Sequence, residues 1–205
     1  AAGVLEGHRM TVTQIAMSHD DSLLVSVSRD RSICLFAREG AVPPSAEGDV
    51  PQGDVRFKLL HKLEKAHERV IWGCAWSPDG ARFATASRDK TVRLWKVTGA
   101  GFECEKVLGK YDCGVTTIDW SPVLDAAGTS LIAIGTEEGQ IVILAPSSDD
   151  PAAWRETAKL HSVDCHAGSV NRLRWRPSSA EGGWGAQLVS CGSDHTVRVF
   201  VVSAR

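Results

Sequence analysis

Apolar and alternating runs of five or six residues recur along this chain, each closed by turn formers. IWGCAW (71–76), RFATAS (82–87) and TVRLW (91–95) follow one another, divided by SPDG and SRDK. Short runs of this kind between such turns predict β-strands. No stretch carries the three-to-four spacing of an amphipathic helix, so the pattern predicts an all-β fold.

The pattern then repeats. HRMTVTQIAMSHDDSLLVSVSRDRSICLF (8–36) and HERVIWGCAWSPDGARFATASRDKTVRLW (67–95) align without a gap. His8 to Asp30 and His67 to Asp89 are both 22 residues, and Asp30 to Phe36 and Asp89 to Trp95 are both six. A further copy runs from His166 to Phe200, with Asp194 again six before its aromatic residue and SSAEGGWG inserted. Between them lies a degenerate copy with Tyr111, Glu138 and Leu144 in the histidine, aspartate and tryptophan slots. Each copy holds three strands, and a weaker fourth follows in RFKLLHKL (56–63), FECEKVL (102–108) and RETAKL (155–160). Four-stranded units in series predict the blades of a β-propeller, bounded at about 8–63, 67–108, 111–160 and 166–203 within one domain over 1–205.

His67, Thr85 and Asp89 raise a chemical question, because a histidine, a hydroxyl and a carboxylate can form a hydrolytic triad. Such a triad occurs once and needs an oxyanion hole and a cleft. Here the set recurs as His8, Ser26 and Asp30 and as His166, Ser190 and Asp194. The spacing instead predicts a structural relay: Asp to one histidine nitrogen, the hydroxyl to the other, and the Trp95 indole to the hydroxyl. Phe36 and Phe200 cannot donate, so the relays of the first and last copies are expected to stop at the serine. A hydrolase using His67, Thr85 and Asp89 would need Thr85 open to solvent, and burial is expected.

SRDKTVRLW, SRDRSICLF and GSDHTVRVF, each downstream of a histidine-led loop, resemble the repeats of the WD40 family. More specifically, VSRDR followed by IWGCAWSPD, and Trp154 between the weak copy and the last, resemble the C-terminal repeats of the Elongator second-subunit family. That resemblance implies a non-catalytic scaffold supporting wobble-uridine modification of tRNA, with the catalytic residues on another subunit. It implies protein subunits of a multiprotein complex as partners, a weak tRNA contact, and a cytoplasmic location that extends to the nucleus. It implies no cofactor, metal, membrane or small-molecule substrate. An adaptor role in another WD40 assembly is the alternative.

Composition narrows little further. The 205 residues carry a formal net charge of -2, which gives no overall bias toward nucleic acid or anionic lipid. No apolar run approaches a membrane span, and no segment resembles a signal peptide. Six cysteines without a CxxC pair favour a reducing compartment over a disulfide framework. His161, Cys165 and His166 form a loose cluster that lacks a fourth zinc ligand at a sensible spacing.

Propellers bind through their faces. The residues before each aspartate slot, Arg29, Arg88, Glu137 and Ser193, are expected to project outward. Arg29 and Arg88 on adjacent blades form either a small basic patch for an acidic segment or RNA phosphate, or solvated charge with Arg88 paired to Glu137. Five residues after each histidine slot stand Thr13, Trp72, Thr116 and Asn171. Trp72 is either a partner anchor or packed into the neighbouring blade, and Asn171 is a further candidate contact. Asp119 and Arg174 share one slot on neighbouring blades and are expected to approach across the boundary. The insertions at 38–54, 122–129, 145–154 and 177–185 are expected to open on the face opposite the aspartate turns. Four blades of ordinary taper leave a ring open, and about seven are expected to close it.

Overall fold

The structure, a computed structural model, describes residues 4–40, 56–122, 130–147, 153–160, 164–177 and 186–202. These form fifteen strands in four antiparallel sheets. The first sheet contains β1 (Val12–Met17), β2 (Leu23–Ser28), β3 (Ile33–Glu39) and β4 (Arg56–Leu63) in that order. The second contains β5 (Ile71–Trp76), β6 (Arg82–Ser87), β7 (Thr91–Thr98) and β8 (Gly101–Lys110). The third contains β9 (Val115–Trp120), β10 (Ile132–Thr136), β11 (Ile141–Pro146) and β12 (Trp154–Leu160). The fourth has three strands among the described residues: β13 (Val170–Trp175), β14 (Ala186–Gly192) and β15 (Val197–Val202).

Alternation along each strand gives every sheet two faces, and both are apolar in the interior of the stack. Val25, Val27, Ile33 and Leu35 of the first sheet pack on Ile71, Trp76, Phe83 and Trp95 of the second. Ala84, Ala86, Val92 and Leu94 of the second pack on Val115, Ile118, Ile132 and Ile134 of the third. Ala133, Ile141 and Ile143 of the third pack on Leu173, Trp175 and Leu188 of the fourth. Sheets stacked face to face about their first strands are the blades of a β-propeller.

The sequence reading of four four-stranded units holds for three sheets. The fourth leaves β15 as an edge, with no strand beyond it among the described residues. Val197, Val199 and Val201 on its free face are 74%, 65% and 69% exposed. At the other end Ile15 is 58% exposed. Most of the four inserted segments, like His161 of the cysteine–histidine cluster, lie outside the described residues.

Candidate functional site

The second blade carries the fullest polar constellation. The loop before β5 brings in His67, β6 carries Thr85, the β6–β7 turn carries Asp89, and β7 carries Trp95. His67 Nδ1 lies 2.8 Å from Asp89 Oδ2, and His67 Nε2 lies 2.8 Å from Thr85 Oγ1. The Trp95 indole N–H donates to Thr85 Oγ1 at 2.8 Å. Asp89 also accepts the backbone N–H of Glu68 at 2.9 Å, so it ties the entering loop to the turn.

The other two sets are shorter. His166 lies 2.9 Å from Asp194 Oδ1 and 2.7 Å from Ser190 Oγ. His8 lies 2.7 Å from Ser26 Oγ, but its other nitrogen meets Ser32 Oγ at 2.8 Å and stands 3.4 Å from Asp30 Oδ2. Phe36 and Phe200 sit in the tryptophan slot.

Sequence reasoning missed one member. Two residues after each aspartate a hydroxyl donates back to it: Ser32 to Asp30 at 2.5 Å, Thr91 to Asp89 at 2.5 Å, Thr196 to Asp194 at 2.8 Å. The signal is present in RDRS, RDKT and SDHT. Such a hydroxyl bridges aspartate and ring, which rigidifies a turn whose third residue (Arg31, Lys90 or His195) has φ of 70°, 72° or 64°.

Burial sets the electrostatics. Desolvation lowers His67 below its ordinary value and outweighs the opposing pull of Asp89, so the ring stays neutral. His8 is lowered for the same reason. Desolvation pushes the Asp89 carboxyl up, yet hydrogen bonds from His67, Thr91 and Glu68 win and hold it well below the usual range. Asp30 and Asp194 are held low in the same way. Thr85 is 0% exposed, and a hydroxyl with no surface cannot attack a substrate. The six cysteines are free thiols; burial pushes Cys34 to about 11 and Cys74 to about 12. Among the described residues no cluster of His, Cys, Asp or Glu could hold a metal ion.

A second polar series runs along the first strands. Thr13 donates to Ile71 O at 2.6 Å, Gln14 Nε2 to Cys74 O at 2.6 Å, and the Trp76 indole to Ala16 O at 2.9 Å. Between the third and fourth blades, Thr116 donates to Val170 O at 2.5 Å and Asp119 accepts Trp175 N–H at 2.7 Å. Arg174 Nη1 lies 2.8 Å from Asp119 Oδ1, so these two meet across the boundary as expected. Arg172 of the fourth blade reaches Gln14 of the first.

The slot of Thr13 and Thr116 is therefore a connector between blades. Trp72 fills it in the second blade, half-buried, and its indole N–H is buried without a partner. Leaving such a donor unpaired costs about 1–3 kcal/mol. Asn171 fills the same slot in the last blade and is exposed. Arg29, Arg88, Glu137 and Ser193 are all exposed, and Arg88 Nε stands 3.4 Å from Glu137 Oε1. The structure thus brings Arg88 to Glu137 across the blade boundary.

The family model described as "WD domain, G-beta repeat" matches residues 2–36, 57–96 and 157–200. The chain belongs to the WD40 family. This WD40 chain is 37% identical over 211 residues to Elongator complex protein 2 of Arabidopsis thaliana, covering 98% of the chain and 24% of the relative. It is 34% identical to that of Rattus norvegicus, covering 96% and 25%. It is 33% identical to that of Schizosaccharomyces pombe, covering 98% and 24%. The chain spans about a quarter of the length of these relatives. Among solved structures, one titled "Structure of U3-55K" superposes with a TM-score of 0.66 at 18% identity, covering 97% of this chain and 54% of that one. "Crystal structure of RRP9 WD40 repeats" gives the same TM-score and identity, covering 97% and 53%. Among the described residues no helix is long and apolar enough to cross a membrane.

Proposed function

We propose that this chain is a non-catalytic segment of a WD40 scaffold in an Elongator-like assembly. In this reading it supports wobble-uridine modification of tRNA by holding protein subunits together. The observation that carries the reading is the alignment of nearly the whole chain with proteins named Elongator complex protein 2. Two features support it. The polar sets that look catalytic are spent on one another, and Thr85 is sealed from solvent. The ring is also open, with apolar faces at both ends, as expected of four blades from a ring of about seven. The solved WD40 structures, about half covered by this chain, support the same completion.

The experiment is affinity purification of the intact protein from cells, with mass spectrometry of what comes with it. Elongator subunits should co-purify in stoichiometric amounts, and depletion of the protein should remove modified wobble uridine from tRNA hydrolysates. Recovery of the protein without such subunits, or unchanged tRNA after depletion, would overturn the reading.

A further inference from the structure

On the face of the aspartate turns, a groove of about 720 Å³ crosses the boundary between the second and third blades. Its two walls differ in charge. The second blade contributes Arg69, Arg88, Lys90, Arg93 and Lys110 against two carboxylates, Glu68 and the relay's Asp89, whereas the charged residues of the third, Asp112, Glu137 and Glu138, are all acidic.

This asymmetry follows from the degenerate third copy. With Tyr111 in the histidine slot, Glu138 has no imidazole to bind and stays exposed on the rim. Gly114 makes room for its neighbour: a Cβ there would stand 2.6 Å from the Glu137 carboxyl carbon. Glu137 can therefore lie along the wall. On the opposite wall Arg93 is only half used. Its Nη1 donates to Ala66 O at 3.0 Å, while its Nε–H is buried and lacks an acceptor. That Nε is closed to solvent, so the exposed guanidinium groups of Arg69 and Arg88 are the ones that can grip a partner's carboxylate with two parallel hydrogen bonds. Arg88 and Glu137 span the groove at 3.4 Å, but their side chains are 60% and 39% exposed. An exposed pair of this kind exchanges readily for another partner. Arg69, Lys110 and Glu138 make no ion pair among the described residues.

We propose that this groove takes an extended peptide segment of a partner protein in which acidic and basic side chains alternate. Successive side chains of an extended strand point to opposite sides. Carboxylates then face Arg69 and Arg88, while the intervening lysines or arginines face Asp112 and Glu138. A nucleic-acid strand is a poorer fit, because its phosphates would meet the acidic wall as well as the basic one. The proposal rests on the scaffold reading and names one of its docking sites.

The test uses the intact protein and a fluorescent decapeptide of alternating Glu and Lys that carries a photo-crosslinker. The peptide should crosslink to the segments around 68–69, 110–114 and 137–138. Arg69→Glu and Glu138→Lys, both on exposed side chains that leave the core alone, should each weaken binding at least fivefold. Crosslinks elsewhere, or variants that bind as tightly as the parent, would sink the proposal. So would poly-Glu, poly-Lys or a single-stranded RNA of equal length binding as well as the alternating peptide. Co-purification of subunits is read separately. Subunits retained while the peptide fails to bind would overturn the groove alone, whereas wild-type protein that recovers no subunits would overturn the scaffold reading.

Discussion

Asp119 of β9 reaches Arg174 of β13 at 2.8 Å while its other oxygen accepts the backbone N–H of Trp175 at 2.7 Å. The two bonds are unequal in value. The Arg174 side chain is 45% exposed, and a pair of that kind contributes about 0–1 kcal/mol. The amide bond is interior, and losing its acceptor costs about 1–3 kcal/mol. Asp119→Ala should therefore destabilise more than Arg174→Ala in urea unfolding. Equal effects would show that the ion pair dominates.

The relay predicts a graded response. Asp89→Ala strands His67 Nδ1 and the Glu68 amide and should cost about 1–3 kcal/mol. Trp95→Phe recreates the arrangement of Phe36 and Phe200, removing one donor worth about 1 kcal/mol and adding a cavity cost for the lost part of a fully buried indole. Differential scanning calorimetry of the two variants and the double variant checks this. Coupling should be visible, because both residues act through Thr85 and His67. Strict additivity would mean the chain of hydrogen bonds does not act as a unit.

Acid should unfold the protein in two stages. The folded pKa of His67 and of His8 is lowered by burial below 6.5, so the unfolded chain takes up those protons first. Their contribution is present above about 6.5 and lost as pH falls through the folded value. Asp30, Asp89 and Asp194 are also lowered, so their contribution is present above about 4 and lost below it. Asp119 runs the other way, because burial raises it and acid relieves that cost. Melting temperature against pH should fall gently below about 6.5 and steeply below about 4. His67→Gln should flatten the first stage.

Gly139 should be irreplaceable. Its φ is 84°, and a Cβ there would stand 2.0 Å from His166 O, whose own amide donates to Gly139 O at 3.2 Å. Backbone against backbone cannot yield as a side-chain tip can. Gly139→Ala should cost more than about 1 kcal/mol, the usual scale of a strained left-handed position. Gly80, with φ of 66° and open space around its Cβ, is the control. Substituting it should cost less, and equal melting points for the two would contradict the steric account.

Much of this architecture was legible because spacing and residue type agreed. The 22-residue and six-residue steps placed His67, Thr85, Asp89 and Trp95, and one shared slot brought Asp119 to Arg174. The second hydroxyl of each set escaped notice, since a Ser or Thr in a turn has many uses. The role of Thr13 and Thr116 escaped too. A bond from a side chain to the backbone of another blade leaves no mark on that blade's sequence. Trp72 is the instructive residue: as an aromatic near a rim it read equally as anchor or filler. It shares the slot of the connectors Thr13 and Thr116, is half-buried, and keeps an unpaired indole N–H.

The joints themselves differ in kind. The first and second blades, and the third and fourth, are fastened along their first strands by hydrogen bonds from Thr13, Gln14, Thr116 and Trp175. Between the second and third, the corresponding positions are Trp72, Gly73 and Ala75, and the Trp120 indole turns to Ser130 of its own blade instead. Along the first strands that seam is held by apolar burial, whose strength fades in the cold while hydrogen bonds persist. Its polar links, Arg88 to Glu137 and Lys90 to Asp112 O, lie out on the face of the aspartate turns. Cooling thus singles out the middle of the stack. Chilled, that seam should lose a larger share of its strength than the two on either side of it.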